Sequence, residues 1–368
     1  MDHLNKNIVT KNSSTAKIYN TNFAAAFYFF AFLSLVVFAF SSLSSILTPI
    51  AIAILIWFLI NALANQIKRL PFMNSNFGEF ISIPLSLIII VVSMLQIGSF
   101  IASSMVELSS TIAQLDDKFY SLIDKLSVMT GYDFSDKFEK LFEQFSIASL
   151  INKVIAAFSS IVSNIMQILL YVLFLLLDQR FFNAKINALF PNYENRAKAK
   201  DVLHSVSKSI RMYISITTII SLCTGFLTYL VCDSLSLQGA VLWGFLAFIL
   251  NFIPTIGSII AVIIPTAFAL VQFPELSDAL IVLILLALIQ FIIGNIIYPR
   301  LMGNKLNISQ FVVILSLVIW GAMWGTVGMF LSVPLMMILL IILSQFENTK
   351  GMAILISGDG KIYSNNKD

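Results

Sequence analysis

Apolar stretches separated by short polar segments dominate the chain. Two of them, 239–272 and 309–344, are unusually long and are interrupted near their middles by Gly, Pro and polar residues. Six others have about the 20 residues that a helix needs to cross the hydrocarbon core of a bilayer; they cover about 23–42, 46–66, 80–104, 154–177, 212–232 and 279–298. The pattern predicts an all-α polytopic membrane protein with about six full spans and two broken or re-entrant helix hairpins, about 8–10 membrane segments in all.

Residues 105–153 have a different character, with eight acidic residues and five lysines. Apolar residues recur there in alternating steps of four and three, the spacing of a helix with one buried seam: Leu108, Ile112, Leu115, Phe119, Leu122, Leu126 and Met129. We therefore predict an extracytoplasmic insertion of amphipathic helices. The seam has two candidate partners, the similar pattern at 134–145 in the same chain or a second copy in a homo-oligomer.

Composition excludes several classes of protein. The chain is 58% hydrophobic and only 11% charged, with a mean hydropathy of +0.92. Soluble domains carry about 25% charged residues, so this chain is expected in a lipid bilayer. Disordered and nucleic-acid-binding proteins need far more charge, and no nucleic-acid partner is expected.

Lysine and arginine predict the orientation, since they concentrate in cytoplasmic segments. Segment 178–211 holds seven basic residues against three acidic ones. With both termini cytoplasmic, the predicted order is a tail (1–22), N-terminal spans (23–104), the insertion (105–153), a span (154–177), a basic loop (178–211), a signature transport region with both broken hairpins (212–345), and a second tail (346–368).

The two interruptions resemble each other. The first reads NFIPTIGSIIAVIIP (251–265) and the second WGAMWGTVGMFLSVP (320–334). Broken helices leave peptide groups unpaired, which lipid does not tolerate unless they line a cavity or are buried in protein. In transporters, inverted repeats of such helices hold the substrate. Close packing of small residues, as at Gly321-x-x-x-Gly325, is the alternative reading.

The candidate residues follow from these interruptions and from the few polar side chains within apolar runs. The predicted substrate pathway contains Asn251, Pro254, Thr255, Gly257, Ser258, Gln290, Asn295, Thr326 and Gly328. Structural or hinge roles are predicted for Pro265, Pro299, Arg300, Gly303, Gly321, Gly325 and Pro334. For each amide side chain, an ordinary interhelical hydrogen bond is the alternative role.

Signals of catalysis, metals and cofactors are missing. The only histidines, His3 and His204, fall in predicted cytoplasmic segments, so no metal site is expected within the membrane. The Gly358-Asp-Gly-Lys361 run lacks the spacing of a phosphate-binding loop. No Asp, Glu, Lys, Arg or His lies in the middle of a predicted span, which argues against a proton relay and favours a neutral polar solute. We expect no enzyme activity and no cofactor.

The last third of the chain resembles the autoinducer-2 exporter (AI-2E) family of bacterial membrane proteins, and is most similar to its quorum-signal transport branch. The resemblance is carried by GNIIYPRLMGNKL (294–306), SLVIWGAMWGTVGMFLSVPL (316–335) and NFIPTIGS (251–258). The family pattern falls on Pro254, Gly257, Asn295, Pro299, Gly303, Gly325, Gly328 and Pro334. Many members carry an acid before the Pro-Arg pair, whereas this chain has none between Asp278 and Arg300.

The resemblance implies a multi-pass permease of the bacterial inner membrane that exports a small polar solute such as autoinducer-2. Two alternatives remain at this stage. One is a sodium/proton antiporter, an activity described for other members of the family. The other is a non-transporting envelope assembly protein that binds a partner through 105–153.

Overall fold

The protein is helical in nearly all of the residues that the structure, a computed structural model, describes. These are residues 24, 27–28, 30–32, 34–69, 76–113, 121, 127–128, 163–303 and 307–361. The chain divides into two compact units, Met1–Thr48 and Pro49–Asp368. The first contains the apolar helix Phe30–Ser42.

Eleven further helices follow along the described chain. They are α1 (Ser44–Ile67), α2 (Asn76–Ala113), α3 (Ile165–Asp178), α4 (Phe182–Leu189), α5 (Tyr193–Ser234), α6 (Ala240–Leu250), α7 (Ile256–Gln272), α8 (Leu276–Ile292), α9 (Tyr298–Met302), α10 (Gln310–Leu343) and α11 (Lys350–Ile356). A 3₁₀ turn (Gln179–Phe181) joins α3 to α4, and a π turn (Ile293–Ile297) joins α8 to α9.

Five of the described helical segments are long and apolar enough to cross a membrane: Ser44–Ile67, Ile165–Leu189, Tyr193–Ser234, Leu276–Met302 and Gln310–Leu343. Their outer faces are apolar as well, since Phe174, Phe226, Ile284 and Phe291 are each more than half exposed. Exposed aromatic and aliphatic side chains at this density are typical of a lipid-facing surface. The prediction of an all-α polytopic membrane protein is confirmed.

The basic segment 178–211 is not the loop that its charge suggested. It forms the 3₁₀ turn, α4 and the first half of α5, which continues directly into the predicted span at 212–232. Asn192 caps α5 by accepting a hydrogen bond from the Glu194 amide at 2.9 Å, and Lys198 pairs with Glu194 one turn later at 3.0 Å. Capping and pairing of this kind favour a helix whatever its charge. At 42 residues α5 is about 63 Å long, twice the hydrocarbon thickness.

The predicted insertion at 105–153 lies largely outside the described residues. α2 runs through the expected boundary at 104/105 and continues to Ala113. The heptad seam and its partner therefore remain predictions. Residues 154–162 of the predicted fourth span also lie outside the described chain, and α3 covers its second half.

α5 is the central helix of the second unit and contacts α4, α6, α8, α9 and α10. Its closest approach is to α6, where Gly225 faces Gly244. A Cβ placed on either glycine would lie 2.7 Å from the other's carbonyl oxygen, so only glycine permits this spacing. The largest core cluster joins α6, α7 and α8 around the buried side chains of Trp243 and Phe268. This arrangement places the two predicted interruptions beside α5.

Candidate functional site

The first interruption is a true break between α6 and α7. α6 ends at Leu250, with Asn251 as its C-cap, and α7 begins at Ile256. Thr255 has φ 63° and ψ −58°, and the Ile256 amide donates to the Pro254 carbonyl at 2.6 Å, which closes a γ-turn. A β-branched residue at positive φ costs about 1–3 kcal/mol, so the surrounding packing must hold this turn in place.

Most amides of this break find partners within the turn itself. Phe252 donates to Ile249 at 3.1 Å, Ile253 to Leu250 at 2.9 Å, and Gly257 to Ile253 at 3.0 Å. The expectation that the break carries mostly unpaired peptide groups is thus wrong for these amides. Tight local turns satisfy them, as they do at helix ends generally.

The second interruption lies inside α10, at Gly325. Its φ of 61° and ψ of −143° belong to a region that essentially only glycine occupies. A Cβ on Gly328 would lie 1.9 Å from the Trp320 carbonyl oxygen. Residues eight apart in a straight helix are separated by about 12 Å, so the chain must turn back sharply at this point.

Gly257 and Gly328, the glycines of the similar sequences Thr-Ile-Gly (255–257) and Thr-Val-Gly (326–328), have similar local environments. A Cβ on Gly257 would lie 1.7 Å from the carbonyl oxygen of Leu250, seven residues earlier. In both breaks the second half-helix therefore packs its glycine against the last carbonyl groups of the first half. The positive φ falls on Thr255 in one break and on Gly325, rather than Thr326, in the other.

The two breaks meet in space. The ring of Phe252, within the first break, stacks on that of Phe330, just beyond the second, with centroids 4.8 Å apart and an interplanar angle of 24°. Met329 packs against the α6–α8 core cluster, and its side chain also lies 3.0 Å from where a Cβ on Gly321 would stand. The sequence patterns at 251–258 and 321–328 thus form one structural region.

Asn251 connects this region to α5. Its Nδ2 donates to the Oγ of Ser221 at 3.0 Å, and Ser221 is fully buried. An interhelical amide–hydroxyl bond of this kind fixes the end of α6 against α5. The bond is the ordinary role that the sequence left open for Asn251, and it also places a polar side chain beside the break.

α5 carries a row of buried polar side chains that the sequence analysis did not single out. Side chains three or four positions apart share one face of a helix. The buried face of α5 includes Ser209, Tyr213, Thr217, Ser221, Thr224, Thr228 and Cys232. The recurrence of Ser and Thr at that spacing within 212–232 was the available signal, although single hydroxyl residues are unremarkable in membrane helices.

The other predicted pathway residues are more dispersed. Gln290 is half-buried on α8, and Asn295 is exposed in the π turn, where its Nδ2 donates to the Phe291 carbonyl at 3.1 Å. Thr326 is exposed at the second break. Ser258 donates to the Thr255 carbonyl at 2.8 Å and so belongs to the first break. Gln290 on α8 and Asn295 in the π turn therefore lie outside both breaks.

The predicted hinge residues occupy helix interiors and ends. Pro265 and Pro334 are buried within α7 and α10, and Pro299 lies in the first turn of α9. Arg300 is exposed, and Gly303 ends α9 with a φ of 52°. In the part of the chain that the structure describes, no group of three His, Cys, Asp or Glu residues could hold a metal ion.

Two broken helices that meet within a bundle of membrane-spanning helices, beside a buried polar face, define a helical membrane transporter. The comparisons with known proteins agree. The sequence profile of the AI-2E family transporters matches residues 25–348, and the chain belongs to that family.

Curated relatives are named as transport proteins. The chain is 32% identical over 319 residues to "AI-2 transport protein TqsA" of Escherichia coli K12, covering 85% of this chain and 90% of the relative. It is 36% identical over 216 residues to a "Putative transport protein" of Haemophilus influenzae, covering 58% and 62%. It is 27% identical over 288 residues to "Putative transport protein YhhT" of Escherichia coli K12, covering 76% and 80%.

Proposed function

We propose that this AI-2E family transporter exports a small, neutral, polar solute of the autoinducer-2 type, through a pathway formed where the two broken helices meet α5. The observation that carries the proposal is the contact between the breaks, Phe252 on Phe330, together with the Asn251–Ser221 hydrogen bond at the same level of α5. The name of the Escherichia coli relative supports the solute class.

The charge distribution supports a neutral solute. Residues 212–232, 240–272, 279–299 and 310–344 contain no Asp, Glu, Lys, Arg or His. A charged solute or a coupling proton would need a compensating ionisable group at this depth, because an uncompensated charge is costly there. Hydroxyl and amide side chains are sufficient for a solute that carries only hydroxyl and carbonyl groups.

The same distribution supports placement in the bacterial inner membrane with both termini cytoplasmic. Met302, two residues after Arg300, shares a core cluster with Ile210 and Tyr213 of α5, so two basic segments lie at one end of the bundle. Asn307 donates to the Lys361 carbonyl at 2.6 Å, which ties the C-terminal segment to the same end. Basic residues collected at one end favour the cytoplasmic side for that end.

The turns after α5 and after α7 contain no basic residue, and Gln272 connects them to each other. Gln272 closes α7 by donating to the Ser236 carbonyl at 2.7 Å and accepting from the Gln238 amide at 2.7 Å. The turns after α5 and α7 are therefore adjacent. Their adjacency supports a common, outward side for both.

The test is efflux of autoinducer-2 from cells that express Asn251→Leu, measured as the luminescence of a reporter strain exposed to the medium. The leucine removes the hydrogen bond to Ser221 and puts an apolar side chain at the break, so efflux should fall to the level of cells without the protein. The matched control is Asn61→Leu, since Asn61 is also half-buried and donates, among the residues that the structure describes, to the Trp57 carbonyl of its own helix at 2.8 Å. Wild-type efflux from Asn251→Leu, at equal amounts in the membrane, would refute the pathway.

A further inference from the structure

One buried hydroxyl on α5 makes no well-aligned hydrogen bond within the described residues. The side chain of Thr217 is 1% exposed, and its Oγ1 makes no hydrogen bond of acceptable geometry within the described residues. The hydroxyls of Tyr213 and Tyr298 both lie beside it. Buried hydroxyl groups in proteins are nearly always bonded, so a buried hydroxyl that touches two others without a well-aligned bond keeps hydrogen-bonding capacity for a further polar group.

These three hydroxyls continue the polar face toward the breaks. Thr217 lies one turn of α5 from Ser221, which accepts the hydrogen bond from Asn251 at the first break. Tyr213 lies one turn further, and its ring is 2% exposed. The hydroxyls thus extend from the break toward the basic first half of α5.

Tyr298 reaches this face from a second structural element. It follows directly after the π turn Ile293–Ile297, and its ring packs against the cluster that contains Ile210, Tyr213 and Met302. π turns insert one extra residue into a helix and re-aim the side chains that follow; they are frequent at functional sites. The cluster is therefore built by α5 and by the segment 294–306, which carries part of the family resemblance.

We propose that Tyr213, Thr217 and Tyr298 bind hydroxyl or carbonyl groups of the transported solute. This inference rests on the proposed function and locates one binding site along its pathway. Each of the three hydroxyls can both donate and accept, which suits a small polyhydroxylated molecule without charge. A cation is a poorer match, because neither 212–232 nor 279–299 supplies a carboxylate to balance its charge.

The test uses everted membrane vesicles, in which export appears as uptake, with synthetic autoinducer-2 as the probe. Initial rates are measured over a range of concentrations for Tyr213→Phe, Thr217→Val and Tyr298→Phe. Each change keeps the shape of the side chain and removes one hydroxyl. Losing one hydrogen bond to a neutral solute should raise the half-saturating concentration about three- to tenfold while the maximal rate stays within about twofold.

The matched control is Tyr229→Phe. It removes a hydroxyl from a half-buried tyrosine of the same helix, about 24 Å along α5 from Tyr213. Its half-saturating concentration should equal that of the wild type. Thermal unfolding of each purified variant shows whether the fold is retained. The binding site is supported if the half-saturating concentration rises in Tyr213→Phe, Thr217→Val and Tyr298→Phe and stays at the wild-type value in the control.

Two other results are distinguishable. If the wild type transports the probe and the cluster variants keep its half-saturating concentration, the binding site is refuted and the proposed function stands, even where unfolding temperatures change. If wild-type vesicles take up no more probe than vesicles without the protein, the proposed solute class and the binding site both fall.

Discussion

Substitution of Gly257 by alanine tests the geometry of the first break most directly. The added Cβ would stand 1.7 Å from the carbonyl oxygen of Leu250 and 2.6 Å from its carbonyl carbon. Both are backbone atoms at the end of α6, so no side-chain rotation can relieve the contact. The half-helices themselves would have to separate.

The size of the effect follows from that separation. Cβ atoms essentially never approach a non-bonded heavy atom within 3.0 Å, so the Leu250 oxygen must move by about 1.3 Å. Inserting a methyl group into an ordinary well-packed site costs about 1–3 kcal/mol, mostly through side-chain adjustment. Because the backbone must move here, we expect a loss of about 3 kcal/mol or more, together with loss of transport. Gly328→Ala should behave alike, since its Cβ would meet the Trp320 carbonyl at 1.9 Å.

Thermal unfolding in detergent, followed by tryptophan fluorescence, measures the loss of stability. Efflux of autoinducer-2 measures the loss of transport. Gly351→Ala is the control, because a Cβ on this α11 glycine would meet nothing within 4 Å. That change should leave efflux intact and stabilise the helix by about 0.5–1 kcal/mol. If Gly257→Ala unfolds at the wild-type temperature and still exports, the close approach of α6 and α7 is not a feature of the protein.

Three further changes probe other contacts. Thr255→Gly should raise the unfolding temperature, because release of about 1–3 kcal/mol of strain exceeds the added chain entropy of glycine; an unchanged or lower temperature would show that the turn is unstrained. Asn307→Ala removes the hydrogen bond to the Lys361 carbonyl, so trypsin should cleave after Lys361 faster than in the wild type. Equal cleavage rates would show that this hydrogen bond does not hold the C-terminal segment in place. Lys185→Gln breaks the exposed pair with Asp178 (2.6 Å), and a loss above about 1 kcal/mol, or one insensitive to salt, would be inconsistent with a surface ion pair.

The breaks were predictable because the residues that form them are locally encoded. Gly257, Gly325 and Gly328 stand where a side chain would collide with backbone or where the backbone adopts a conformation other residues avoid. Composition and run length likewise sufficed for the all-α membrane fold. Such signals depend on a few neighbouring residues, so they can be recognised in the sequence before the tertiary structure is known.

The remaining features depend on neighbours distant in sequence. The positive charge of segment 178–211 indicates the side of the membrane on which the segment is expected. It does not indicate the segment's conformation, which depends on local contacts such as the Asn192 cap of α5. The π turn before Tyr298 has no residue signature of its own. The hydroxyl row on α5 gains meaning only when Asn251 and Tyr298 arrive from other helices.

The geometry also separates two ways in which a broken helix can serve a transporter. A break that exposes bare peptide groups offers carbonyl oxygens to a cation, as helix ends do in ion-coupled transporters. Here the carbonyls of Ile253, Pro254 and Thr255 are already occupied by the amides of Gly257, Ile256 and Ile259. The polar groups beside the break are instead hydroxyls and one amide on α5 and α6, all neutral. The first break therefore places Asn251 against Ser221, and under the proposed function the hydrogen bonds to a neutral solute would come from side chains on α5.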